Sequence, residues 1–230
     1  MDLSPIHGVP RRRLLTVTGV AYTLSWIAGL AVAAPSPKLT ASGAQIATAL
    51  AGHQTTLAVQ FALTEGLPAA GLAIIAVALA RAARRSGAVA AARAALLAGA
   101  AAALISLLQF ALGAALAGTA SPGTAHLLYD AVNRLDGAKM LALAVLALAG
   151  AASQTLPRWL RYTGIALAIT ITASGIAYLL LLQDVAILAI PAGVLLLVFI
   201  TGTGIALGTS ASKPRHAALP ATATAGSHSP

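Results

Sequence analysis

Residues 56–85 read TLAVQFALTEGLPAAGLAIIAVALARAARR, an apolar run that ends in a cluster of arginines. The only charged side chain before those arginines is Glu65. Because roughly 20 helical residues cross the hydrocarbon core of a bilayer, residues 56–80 are long enough to span a membrane. Arginines directly after such a run are typical of a cytoplasmic loop. The stretch therefore predicts a transmembrane helix that ends at the cytoplasmic surface.

The rest of the chain has the same character. Hydrophobic residues make up 59% of it and charged residues only 8%, whereas roughly a quarter of the residues in soluble domains are charged. The excess is alanine and leucine, which favour helices, and no ten-residue segments alternate as in a membrane β-barrel. We predict an all-α, polytopic membrane bundle of six transmembrane helices over residues 14–34, 56–80, 94–117, 138–154, 162–182 and 186–208.

Lysines and arginines alternate between the two ends of these runs. The sparse side has only Lys38, Arg134 and Lys139. This bias predicts that both termini face the cytoplasm, in what we expect to be the bacterial inner membrane. The net charge of +9 then reflects helix-flanking loops, so the bilayer is the expected partner and nucleic acid is not. The rich side collects Arg11, Arg12, Arg13, Arg81, Arg84, Arg85, Arg93, Arg158, Arg161, Lys213 and Arg215.

The predicted bundle, residues 14–208, lies between a cytoplasmic tail of residues 1–13 and a disordered cytoplasmic tail of residues 209–230. One alternative concerns the first span, because three arginines, an apolar stretch and small residues before Pro35 resemble a secretory signal. The length of the stretch, together with Tyr22, favours a retained span.

Glu65 is the acidic residue that lies inside a predicted span. It is about nine residues from the outer end, or roughly 13 Å deep at 1.5 Å per residue. A carboxylate at that depth must be paired, wetted or protonated, which makes it a functional candidate. Pro68 removes an amide donor and obstructs the carbonyl of Thr64, so we predict a kink that opens space beside Glu65. The alternative is a glutamate bonded across the bundle for stability alone.

Polar residues also gather in the outer segment, residues 119–137, for which we predict a separate helix ending near Gly137. Asp130 and Arg134 have the spacing of an ion pair on one helix, as do Asp136 and Lys139. Six residues of this segment follow helical spacing and therefore share one face: His126, Tyr129, Asp130, Asn133, Arg134 and Gly137. This face is either solvated or turned towards Glu65 as a cap on the bundle.

Two other outer connections are predicted: a short interfacial helix over residues 44–50 and a tight turn at residues 183–185. The chain has no cysteine and no histidine spacing that concentrates metal ligands. It also has no nucleotide-binding motif. We therefore expect neither a metal nor a cofactor, and the sequence leaves the oligomeric state open.

Two motifs carry a first resemblance: GVAY at residues 19–22 and LPRWLRYTG at residues 156–164. They resemble a large group of multi-span membrane proteins of unknown function that is common in actinobacteria. The resemblance covers most of the chain and implies the architecture without an activity.

A second resemblance rests on two acids, Glu65 in an early span and Asp184 before the last one. It is to small all-helical membrane terpene cyclases, although Asp184 lies at a turn and aromatic residues are only 4% of the chain. The resemblance implies class II-like, proton-initiated cyclisation of a lipophilic, prenylated substrate, with Glu65 as the general acid. Asp184, Asp130 or Asp136 would assist Glu65 or take the final proton.

The expected substrate-binding residues combine aromatic and polar side chains: Trp26, Gln60, Phe61, Phe110, Tyr129, Asn133, Arg134 and Tyr178. Two other functions use the same residues differently. A proton-coupled transporter would use Glu65 with Asp130 and Arg134 as a gate. A membrane regulator or assembly partner would work through helix contacts and would tolerate substitution of Glu65.

Overall fold

The structure, a computed structural model, describes residues 10–32 and 34–210, and it contains α-helices, one π-helical segment and no strand over those residues. The α-helices are α1 Pro10–Ala31, α2 Gly43–Leu50, α3 Gln54–Phe61, α4 Leu67–Arg85, α5 Val89–Gly118, α6 Pro122–Ala152, α7 Arg158–Leu179, α8 Gln183–Ala186 and α9 Ala189–Ser210. The π-helical segment, Ala62–Gly66, joins α3 to α4 without a break in the helix.

Six helical stretches of the described chain are long and apolar enough to cross a membrane, which confirms the predicted number. They are Arg13–Ala31, Gln54–Arg85, Val89–Gly118, Pro122–Ala152, Arg158–Leu179 and Gln183–Thr209. We use "outer" for the end of the bundle opposite the arginine clusters. Helix α9 extends to Ser210, and the remainder of the predicted C-terminal tail lies outside the described residues.

The six long helices form a closed ring in chain order. Each of α1, α4, α5, α6, α7 and α9 packs against the next, and α9 returns to α1. The short connections between α4 and α5, α5 and α6, and α6 and α7 make those neighbours antiparallel. The centre of the ring is an apolar core whose largest buried side chains include Leu72, Ile75, Leu79, Leu146, Leu160, Leu167, Ile171, Phe199 and Ile200.

The predicted boundary of the fourth span is wrong. Residues 119–137 do not form a separate outer helix, because α6 runs without interruption from Pro122 to Ala152. Gly137 does not end a helix but allows α6 to approach α7 closely. A Cβ at that position would lie 2.5 Å from the carbonyl oxygen of Gly175, so only glycine fits the contact.

The irregularity predicted beside Glu65 takes the form of the π-helical segment. The amide of Leu67 donates to the carbonyl of Ala62, five residues earlier, as in a π-helix. Pro68 follows in the first turn of α4 and is itself buried. Since proline cannot donate to the carbonyl of Thr64, the helix loses one α-type bond at this point. The extra residue in the turn changes the direction of the side chains on either side of it.

A small cap covers the outer end of the ring. Helix α2 confirms the predicted short helix, is closed by a capping box between Ser42 and Gln45, and packs on α6. Ile46 and Leu50 of α2 are buried together with Leu57 and Leu116. The predicted turn at residues 183–185 is the one-turn helix α8, and its Gln183 side chain accepts a hydrogen bond from the amide of Leu39.

The predicted orientation can be tested with single cysteines, since the chain has none. Ser86 and Ser121 are exposed at opposite ends of α5. With both termini in the cytoplasm, Ser121→Cys should react with a membrane-impermeant maleimide in intact cells, and Ser86→Cys should react only after lysis. The reverse labelling pattern would show that the bundle is inserted the other way round.

Candidate functional site

Two buried side chains and one partly buried side chain form an ionic cluster inside the ring. The ammonium of Lys139 lies 2.8 Å from each oxygen of Glu65 and 2.7 Å from Oδ1 of Asp136. The side chains of Lys139 and Glu65 are only 7% and 8% exposed, whereas that of Asp136 is 23% exposed. We call Glu65, Asp136 and Lys139 the charge cluster.

Three consecutive crossings of the membrane position this cluster. Glu65 projects from the π-helical segment, and Asp136 and Lys139 lie one turn apart on α6. Helix α5 lies beside both and contributes two buried polar side chains. Ser106 lies beside the carboxyl group of Glu65, and Gln109 donates through Nε2 to Oδ1 of Asp136 at 3.3 Å.

The charges in the cluster do not cancel when all three groups are ionised. Two carboxylates face one ammonium, which leaves one negative charge among apolar helices. An unbalanced charge is costly at that depth. A single proton shared among the two carboxyl groups removes the imbalance, so the arrangement is suited to holding and releasing one proton.

Lys139 is the member of the charge cluster that is absent from the residues predicted for the site. The sequence places it at the outer end of the fourth predicted span, whereas in the structure it is buried near the middle of α6, 74 residues away in sequence from its partner Glu65. Two signals point to it in retrospect. Glu65 required a cation, and Lys139 has the helical spacing of an ion pair with Asp136, which the structure confirms.

An outer cavity of about 150 Å³ lies above the charge cluster. Its wall is largely apolar, with none of the lining side chains charged. Tyr129 donates a hydrogen bond to the carbonyl of Pro37, and Gln60 accepts one from the amide of Ala34, so both side chains also hold the covering segment in place. The cavity is lined by Ala34, Pro35, Ser36, Pro37, Leu50, Leu57, Gln60, Phe61, Thr64, Leu116, Tyr129, Val132 and Asn133.

The cavity and the charge cluster lie next to each other along the same helices, with the cavity on the outer side. Tyr129, Val132 and Asn133 line the cavity, and Asp136 follows at the next position of that helical face. Thr64, another lining residue, directly precedes Glu65. Along α6, about one helical turn, or roughly 5.4 Å, therefore separates the floor of the cavity from Asp136.

The predicted substrate-binding residues fall into two groups. Gln60, Phe61, Tyr129 and Asn133 line the cavity. The other four do not line it. Trp26 packs against the apolar core, and the ring of Phe110 lies against Gly66. Arg134 donates a hydrogen bond to the carbonyl of Leu179, and Tyr178 is half-buried on α7.

The predicted catalytic acids also separate. Glu65 and Asp136 meet at Lys139. Oδ2 of Asp130 lies 3.9 Å from Nε2 of His126, one helical turn earlier on α6. Asp130 does not form the expected ion pair with Arg134, because the guanidinium of Arg134 donates a hydrogen bond to the carbonyl of Leu179 on α7. Asp184 is exposed on α8 and takes no part in the charge cluster.

Removing the cation should destabilise the bundle strongly. In Lys139→Met, the carboxyl groups of Glu65 and Asp136 lose their shared partner, which typically costs about 3 to 5 kcal/mol for a buried pair. We expect a lower midpoint of thermal unfolding in detergent, and partial recovery when Glu65→Gln and Asp136→Asn are added. The matched control is Lys38→Met at an exposed site. If that variant lowered the unfolding midpoint equally, the stabilising role of Lys139 would be contradicted.

The chain matches no protein-family model, no curated protein and no solved structure.

Proposed function

We propose that this protein is an integral membrane enzyme that binds one end of a lipophilic molecule in the outer cavity and exchanges a proton with it. The observation that carries the proposal is the position of the charge cluster, one helical turn below an uncharged cavity. A cluster of two acids and one lysine has room for one exchangeable proton. The cavity supplies the place where a substrate can meet it.

Asp136 is better placed than Glu65 to exchange that proton. Both oxygens of Glu65 accept hydrogen bonds from Lys139, and the side chain is almost fully buried. In Asp136 only Oδ1 is engaged, by Lys139 and Gln109. Its side chain is partly exposed and lies about one helical turn below Val132 and Asn133, which line the cavity. In this proposal Glu65 holds Lys139 in position, and Asp136 acts as the acid or base.

The size of the cavity limits how much of a molecule it encloses. A cavity of about 150 Å³ holds a molecule the size of benzene, whereas sites that enclose a whole drug-sized ligand measure roughly 300 to 1,000 Å³. The outer cavity therefore fits one end of a long apolar molecule, such as an isoprene-sized unit. The remainder of the chain would lie among lipids.

Proton-initiated cyclisation of a prenyl chain is the most specific form of this proposal. The carboxyl proton passes to a terminal double bond or epoxide, ring closure follows, and the final cation returns a proton to the carboxylate. Substrate and product then have the same composition, so no further reactant is required. The position of Asp136 about one helical turn below a cavity with a largely apolar wall supports such a step, because an apolar wall offers few groups that would hold water beside the reacting carbon.

Asp136→Asn tests the proposal, because it removes the proton while keeping an oxygen for Lys139. We expect purified protein in liposomes to convert farnesyl compounds that end in a double bond or an epoxide, measured by mass spectrometry. The variant should lower the rate by about 100-fold or more, as for loss of a general acid.

The matched control is Asp184→Asn, the same change at an exposed acid, which should retain the wild-type rate. Full conversion by Asp136→Asn would refute the role of that residue. Proton-linked accumulation of the compound inside the liposomes without conversion would favour the transporter, and wild-type folding of Glu65 variants without either activity would favour the regulator.

A further inference from the structure

The arginine-rich end of the bundle lacks acidic side chains to balance its charge. The whole chain has five acidic residues. Two of them belong to the charge cluster inside the ring, and Asp130 and Asp184 lie towards the outer end. The remaining acid, Asp2, lies outside the described residues, and one carboxylate cannot balance this end. The arginines of this end in the described part of the chain are Arg13, Arg81, Arg84, Arg85, Arg93, Arg158 and Arg161.

Two of these arginines lie together in the first turn of α7. Arg158 and Arg161 are three residues apart, so they are neighbours on the helix surface, where like charges repel each other. Nε of Arg161 donates to the carbonyl of Ala151 at 2.9 Å, which holds its guanidinium against the end of α6. The two terminal amino groups of that guanidinium remain available to an acceptor. Arg158 is exposed. An anion between the two guanidinium groups would relieve their repulsion.

A contact between two loops brings further arginines to this edge. Oγ of Ser86 donates to the carbonyl of Ser153 at 3.2 Å. Ser86 follows Arg85 at the end of α4, and Ser153 is two residues beyond the carbonyl that Arg161 holds. The end of α4 is thus tied to the connection between α6 and α7, and its positive charges add to those of α7.

The exposed face of α7 changes from charged to aromatic to aliphatic along the helix. After the arginines come Trp159 and Tyr162, which are 55% and 71% exposed, and then Ile165 and Ile169. Their spacing of three and four residues places them on one face. The ring of Trp159 lies against α9, where a Cβ on Gly202 would be 2.9 Å from its Cη2. Amphipathic rings of this kind lie at the level of lipid headgroups, with aliphatic side chains among the acyl chains.

We infer that this face of α7 binds an anionic phospholipid, whose phosphate lies between Arg158 and Arg161 and whose acyl chain follows Tyr162 and Ile165. The planar guanidinium matches the oxygens of a phosphate. A soluble anion would use the arginines but not the aromatic and aliphatic side chains beside them. A phosphatidylcholine would bring its own cation into an end of the bundle that is already positive. The inference concerns the opposite end from the outer cavity and goes beyond the proposed enzyme activity.

Fluorescence of Trp159 gives a local measurement of this binding. The chain has two tryptophans, so Trp26→Phe leaves Trp159 as the emitting residue. The full chain is placed in phosphatidylcholine nanodiscs with a rising share of phosphatidylglycerol brominated in its acyl chains, and quenching is compared with that by brominated phosphatidylcholine. We expect phosphatidylglycerol to be preferred by about 25-fold, from about fivefold for each of two arginines. If Trp26→Phe does not fold, the difference between wild type and Trp159→Phe gives the same quantity.

Arg158→Gln and Arg161→Gln should each lower this preference by about fivefold. Arg158 is exposed, so its variant should fold even if loss of the bond to Ala151 disturbs the other. The matched control is Arg13→Gln, the same change at an exposed position on α1 at the same end of the bundle. It should keep the full preference.

Equal quenching by the two brominated lipids in the unsubstituted face would overturn the inference. An equal loss of preference in Arg13→Gln and in the α7 variants would also overturn it, because it would show diffuse surface charge instead of a site. Loss of the preference on adding glycerol phosphate at constant ionic strength would show that the arginines bind a soluble anion. Each of these outcomes leaves the proposed function as it stands.

Discussion

The ionic contact of Lys139 with Glu65 and Asp136 is the interaction on which the site depends. A carboxylate among apolar helices requires a counter-charge, and a lysine at the same depth requires one too. Each is tolerable because the other is present, at distances of 2.7 to 2.8 Å. The contact joins the second and fourth crossings through the side chains of α6 and the π-helical segment, and α5 completes it with Ser106 and Gln109.

This cluster divides the bundle into two levels of different character. Towards the arginine-rich end, the ring is filled mainly by aliphatic side chains, together with the aromatic rings of Phe199 and Tyr22. Towards the outer end, α2 and the segment before it cover a cavity with polar groups in its wall. Gln60 and Tyr129 serve both as lining and as anchors for that cover. A molecule that bonds to either side chain therefore competes with the contacts that keep the cavity covered.

The chemistry of the site follows from which oxygen atoms are engaged. Lys139 donates hydrogen bonds to both oxygens of Glu65 but contacts only Oδ1 of Asp136. The carboxyl group of Glu65 is therefore fully engaged, and Asp136 keeps one oxygen available. Gln109 supports the available group and adds an acceptor of its own. In the proposed function, two acids of similar intrinsic strength thus take different roles through their neighbours, which is how proteins commonly separate acid–base functions.

The sequence by itself determined the all-helical class, the six long apolar helical stretches, the short outer helix and the helical irregularity beside Glu65. Length, hydropathy and proline act locally along the chain. Of the eight residues that the sequence predicts for substrate binding, four line the cavity, and the structure alone separates these four from the rest. Only the tertiary structure decided that α6 continues through Gly137, that Lys139 is buried, and that Asp136 rather than Asp184 joins Glu65. These depend on which helix faces which, and a pairing across 74 residues leaves no periodic trace in the chain.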